Sequence, residues 1–94
     1  MKIEHTKEEN KGRFDAVSKK DVKAGTMSYA WTSESKITIE HTEVYTEFEG
    51  EGIGKKLVFE AVEFARQENL KIIPECSYAK HVLESDDTFS DVLI

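Results

Sequence analysis

Polar and apolar positions follow two different periods along this chain. As far as Tyr45 the period is close to two. "KIEHT", Lys2 to Thr6, reads as a short strand, and Asn10 to Gly12 as a hairpin turn. In "RFDAVS", Phe14, Ala16 and Ser18 stand opposite Asp15 and Val17. "KKDVKAG" turns the chain, and "TMSYAW", Thr26 to Trp31, is the next strand. "TSESK" turns it again before "ITIEHTEVY", a longer strand from Ile37 to Tyr45. Strands joined by short turns predict an antiparallel meander.

Beyond Tyr45 the period lengthens. Ile53, Leu57, Val58, Ala61, Val62, Phe64 and Ala65 recur at steps of three and four, with Glu60, Glu63, Arg66 and Gln67 between them. This predicts a helix from Ile53 to Asn69 with a broad buried face and Asn69 as its C-cap. "LKIIPEC", Leu70 to Cys76, reads as a short apolar strand. Strand, helix, strand implies a parallel pair joined by a right-handed crossover. A second helix is expected over Tyr78 to Glu84, with the tail "DTFSDVLI" packing or fraying. The expected fold is therefore α+β: a meander leading into a β-α-β crossover, with a mixed sheet and a short C-terminal helix.

Composition narrows the class. The 94 residues are expected to form one domain, residues 1–94, around a modest core. The net charge of −6 argues against a broad nucleic-acid footprint, which needs clustered Lys and Arg. No apolar run approaches the roughly 20 residues of a membrane span, and "MKIEHTKEEN" lacks the apolar core of a secretory signal. Cys76 is the only cysteine, so no intrachain disulfide forms and a reducing cytoplasm is expected. Three dispersed histidines and one cysteine make no metal site. A long exposed strand edge leaves monomer and weak dimer both open.

The chemistry concentrates in "EGEGIGKK", Glu49 to Lys56. Glycine permits positive φ and close approach to the main chain. The first amides of a helix have no intrahelical acceptor, and the dipole adds partial positive charge there. A loop of Gly50, Glu51, Gly52, Ile53 and Gly54 at a helix start suits a phosphate or pyrophosphate. Lys55 and Lys56 occupy a first turn where acidic residues are usual, a local cost that an anion offsets. The competing reading is a flexible loop and a cap. The spacing is neither that of a P-loop nor that of a Rossmann fingerprint.

With these residues in view, the chain resembles the GNAT superfamily of acyl-CoA-dependent N-acetyltransferases, in particular its small single-domain YjdJ-type branch. The family's pyrophosphate loop runs Arg/Gln-x-x-Gly-x-Gly/Ala. "EGEGIG", Glu49 to Gly54, matches it at Gly52 and Gly54 and departs from it at Glu49. The similarity runs from Ile37 to Glu84 in the expected order. In that branch a His before the loop and a Cys after the second parallel strand recur, and His41 and Cys76 occupy those places. The larger members' N-terminal acceptor-binding region has no counterpart here.

The resemblance implies acetyl-CoA as acyl donor, without a metal, in a gap between two splayed strands. Glu43, Val44 and Tyr45 would pair with the pantetheine arm, and Gly50, Glu51, Gly52, Ile53, Gly54 and Lys55 would hold the pyrophosphate. Cys76, His41 and Tyr78 are the candidate catalytic residues. Cys76 would accept the acetyl group or protonate the departing thiolate; equally, a lone Cys is often an inert core residue. His41 shares a face with Ile37 and Ile39 if the strand has no bulge, as a base or as a hydrogen-bonded core residue. Tyr78 would protonate the coenzyme sulfur or simply pack in its helix. The acidic Glu84, Asp86 and Asp87 are solvated surface or attract a cationic amine. The implied activity is acetyl transfer to an amine of unknown identity. The alternative is a CoA- or acetyl-CoA-binding module without catalysis, a sensor or partner subunit. A thiol redox role is disfavoured, because there is no second cysteine.

Overall fold

The structure is a computed structural model describing residues 1–94. Its strands are β1 (Lys2–Lys7), β2 (Lys11–Val17), β3 (Lys23–Ser33), β4 (Lys36–Val44) and β5 (Lys71–Pro74). Its helices are α1 (Ile53–Glu68) and α2 (Ser77–Glu84), with 3₁₀ turns at Thr46–Phe48 and Asp87–Phe89. One five-stranded sheet runs in the order β1-β2-β3-β4-β5. Its first four strands are antiparallel, and β5 lies parallel to β4. This is the expected α+β fold with its mixed sheet.

One sheet face is apolar. The register aligns Ile3, Phe14, Ala16, Met27, Tyr29, Ile37, Ile39 and Ile72 on it. Against this face α1 packs Ile53, Leu57, Val58, Ala61, Val62 and Ala65, and α2 packs Ala79, Val82 and Leu83. All belong to one continuous core. Asn69 closes α1 in the left-handed region at φ 56°, and the amides of Asn69 and Leu70 both donate to the Ala65 carbonyl. This is the helix stop that Asn supplies almost as readily as Gly. No helix is long and apolar enough to cross a membrane.

Several boundaries differ from those expected. The first hairpin turns at Glu8–Asn10, not Asn10–Gly12: Glu8 donates to the Lys11 carbonyl and Gly12 lies inside β2. β3 begins at Lys23, so "KAG" is strand rather than turn. β5 is shorter than Leu70–Cys76. It stops at Pro74, after which the amides of Glu75 and Cys76 both turn to the Ile39 carbonyl. Tyr45 leaves β4 and opens a 3₁₀ turn, and α2 starts one residue early, at Ser77. The tail packs: Val92 is buried, and Leu93 forms a parallel bridge to Ile72 on the outer edge of β5.

Candidate functional site

The site grows from a mismatch in strand length. The β4–β5 ladder ends at Ile39↔Pro74, but β4 continues to Val44 with β3 as its only partner. Where the ladder ends, β4 carries an irregularity: Ser28 pairs with His41 and Tyr29 with Ile39, leaving Glu40 as an extra residue. A bulge of this kind bends its strand and exchanges the faces beyond it. Ile37 and Ile39 are buried before it, and Thr42 and Val44 take the core side after it. His41 therefore does not share a face with Ile37 and Ile39. It is exposed on the opposite face, beside Glu43 and away from Cys76.

The same geometry assigns the backbone groups. The Tyr45 amide donates to the Ala24 carbonyl at 2.9 Å, so it points at β3. Antiparallel residues alternate in direction, which turns Glu43 toward β3 as well and leaves Thr42 and Val44 directed at the open side. Of the expected trio Glu43, Val44 and Tyr45, Val44 alone presents its amide and carbonyl to the gap. Thr42 is the residue that the sequence reading missed. Its only visible signal was a hydroxyl at a position that a bulge moves onto the other face.

Across the gap stands the start of α1. Gly50 and Gly52 adopt φ 82° and 75°, the left-handed region that L side chains avoid. Gly52 is the N-cap and no side chain caps the helix. The amides of Gly50, Glu51, Gly52, Ile53, Gly54 and Lys55 have no hydrogen-bond acceptor within the protein. The first turn holds no acidic residue, and Lys55 and Lys56 are exposed and outside every ion pair of the structure. The Ile53 side chain is buried, so this residue offers only its amide. Gly54 serves differently from Gly50 and Gly52. A Cβ there would lie 2.7 Å from the Tyr78 hydroxyl, so its bareness makes room for the Tyr78 ring.

Cys76 is the N-cap residue of α2 and is half-buried. Its Sγ lies 3.4 Å from Thr42 Oγ1. Burial alone would push this thiol up. The Thr42 hydroxyl and the amides of Ala79 and Tyr78 outweigh it, and the thiol sits below its ordinary range. Tyr78 is raised, by burial and then by the Cys76 charge. The structure thus brings Cys76, Tyr78, Thr42, Val44 and the glycine loop to one end of the sheet and leaves His41 out. None of the surface hollows of the structure is lined by these residues. The most voluminous surface hollow, about 490 Å³, lies at the other end of α1 between Arg66, Asn69, Lys71 and Asp91.

Sequence comparison bears on the same region. The profile of the GCN5-related N-acetyl-transferase family matches residues 13–92, which takes in the sheet from β2 onward, the loop and both helices. The chain belongs to this family. As a GCN5-related N-acetyl-transferase it is similar to a Staphylococcus aureus protein assigned as GCN5-like, whose solution structure is 41% identical with a TM-score of 0.73. That match covers 97% of this chain and 87% of the other. Nourseothricin acetyltransferase, 24% identical with a TM-score of 0.62, shares the fold over 81% of this chain and 48% of its own. An acetyl transferase assigned in Pyrococcus furiosus does so at 22% identity and a TM-score of 0.66, over 83% of this chain and 59% of its own. This family member thus spans about half to three-fifths of those two longer enzymes. No curated protein sequence is detectably similar to it.

The family uses acetyl-CoA, and the residues present fit such a molecule. Six consecutive amides without acceptors suit a pyrophosphate. A strand edge without a partner suits an extended amide-bearing arm. Glu49, where the family has Arg or Gln, is exposed and lies outside the acceptor-free amides.

Proposed function

We propose that this chain is an acetyl-CoA-dependent N-acetyltransferase acting on an amine acceptor. The observation that carries the reading is the pairing of acceptor-free amides at Gly50–Lys55 with the unpartnered edge of β4 at Thr42 and Val44. Bound acetyl-CoA supplies an activated thioester. The chain's own contribution is placement. The loop amides and Lys55 neutralise a diphosphate, and the β4 edge aligns the arm. The Val44 amide is directed at the gap, where it can meet developing negative charge. Cys76 and Tyr78 offer a thiol and a phenol at the mouth of the same gap. His41 is not assigned a step with Cys76, since it faces the other way.

Titration with coenzyme A, followed by amide NMR shifts, tests the site. Shifts centred on Gly50–Lys55, Thr42 and Val44 are expected, and undisturbed loop amides would sink the proposal. Turnover with a panel of amines tests the reaction. Covalently acetylated protein that disappears in Cys76→Ala would put the thiol on the path of the acyl group, whereas full activity in that variant removes it from the mechanism.

A second reading, a coenzyme-binding module without catalysis, is favoured by one observation: His41, the imidazole expected at the site, is exposed on the opposite face and away from Cys76. Tight coenzyme binding without turnover on any amine would support it.

A further inference from the structure

We propose that Thr42 is a positioning residue for Cys76: its hydroxyl fixes the thiol at the mouth of the gap and donates to the sulfur once the proton has left. The inference rests on the reading that the gap is the reaction site, and it assigns a role to a residue that the family resemblance does not mark.

The geometry comes from the bulge. With an extra residue at Glu40, β4 turns Thr42 rather than His41 toward the helices. Thr42 Oγ1 then stands 3.4 Å from Cys76 Sγ, with no second side-chain partner. A hydroxyl can accept from a thiol and, after rotation, donate to a thiolate. The same sulfur is at the N-cap of α2, where the Tyr78 and Ala79 amides begin the helix. Among titratable groups, Tyr78 on α2 is the one that feels the thiol's charge. No lysine, arginine or carboxylate of β4, β5, α1 or α2 bears on the sulfur. Cysteine activation commonly relies on an imidazole or a cation beside the sulfur. Here a neutral hydroxyl and a helix start take that place, and the hydroxyl is the part that substitution can remove.

The test reads the thiol directly, without an acceptor amine. Cys76 is the only cysteine, so the rate of iodoacetamide alkylation reports it alone. In the unmodified protein the alkylation rate should reach half its maximum at a pH below that of a free cysteine. Thr42→Val keeps the shape and β-branching and removes the donor. It should lower the neutral-pH rate on the order of tenfold, the worth of one hydrogen bond to a charged atom, by moving the whole pH profile upward. Thr42→Ser should restore the original profile, which a merely structural role for the methyl group would not do. An unchanged profile in Thr42→Val overturns the proposal. So does an unmodified protein that titrates like free cysteine, an observation needing no variant. If coenzyme A leaves the loop amides undisturbed while the Thr42 variants behave as expected, the donor-site reading fails and the Thr42–Cys76 coupling stands.

Discussion

Two glycines with the same defect, a bulky neighbour where a Cβ would go, predict opposite consequences. At Gly12 a Cβ would run into the hydroxyl end of Tyr29, and Tyr29 is 1% exposed, held among Phe14, Trp31 and Phe64. That ring cannot retreat. Gly12→Ala should therefore cost about 1–3 kcal/mol, the usual cost of overpacking a core, measured by denaturant unfolding. At Gly54 the obstacle is the far end of Tyr78, which is 39% exposed and free to swing. Gly54→Ala should cost less than about 1 kcal/mol of stability while displacing the hydroxyl from the site, so its effect should fall on turnover rather than on unfolding. Equal losses of stability in the two variants would refute the distinction. The sequence cannot make it. Gly12 beside Asn10 looks like turn punctuation, and Gly50, Gly52 and Gly54 look alike by spacing. Two of those three are needed for positive φ and the third for room, and only the fold separates them.

At the scale of elements, long periods were legible and local irregularities were not. The helix from Ile53 shows because seven apolar residues repeat over four turns, a signal that one exception cannot erase. The bulge in β4 leaves no such trace. An alternation through Ile37, Ile39 and His41 is as regular in sequence as one that skips to Thr42 and Val44. The ladder to β5 ends at the same place, at Ile39↔Pro74, where the amides of Glu75 and Cys76 converge on the Ile39 carbonyl, and nothing in the sequence marks that point. The tail was illegible for a different reason, since its anchors are distant in sequence. Arg66 on α1 holds Asp91 through paired contacts of 2.9 and 3.0 Å and donates to the Thr88 carbonyl at 2.7 Å. Lys71 donates to the Asp91 carbonyl. These contacts deliver Val92 and Ile94 to Ile72, whose amide and carbonyl are otherwise on an open sheet edge. Arg66→Ala should release the tail without unfolding the sheet. Hydrogen exchange should speed up at Ile72 and Ile94 and stay slow in the centre of β3. Unchanged exchange at both amides would mean that the strand bridge holds the tail without Arg66.

Across the whole molecule, stability and pH are linked at the end of the sheet remote from the glycine loop. His5 on β1 stacks on Phe14 at 4.1 Å, meets Phe64 edge-on at 4.6 Å, and sets Nε2 2.7 Å from the Tyr29 hydroxyl. Burial, and secondarily the charge of Lys7, lower the pKa of this imidazole from its ordinary 6.5. Burial pushes the Tyr29 phenol up to about 12, so it stays protonated throughout and can donate to a neutral His5. The sign follows. As pH falls, the unfolded chain binds this proton before the folded one does. The contribution of His5 is complete above 6.5 and is lost as pH drops through the lower folded value. Asp15 has the same sign in a separate and more acidic window. Its burial is outweighed by Arg13, Thr26 and Lys23, so its contribution is present above the ordinary carboxylate value of 3.8 and lost below it. Thermal melts between pH 8 and 5 should therefore show a falling Tm through the histidine range. His5→Gln, which keeps an acceptor for Tyr29 but does not titrate, should flatten that fall, even if its Tm is lower at every pH for want of the stacked ring. A slope that persists in His5→Gln would detach the aromatic cluster from the acid sensitivity of the fold.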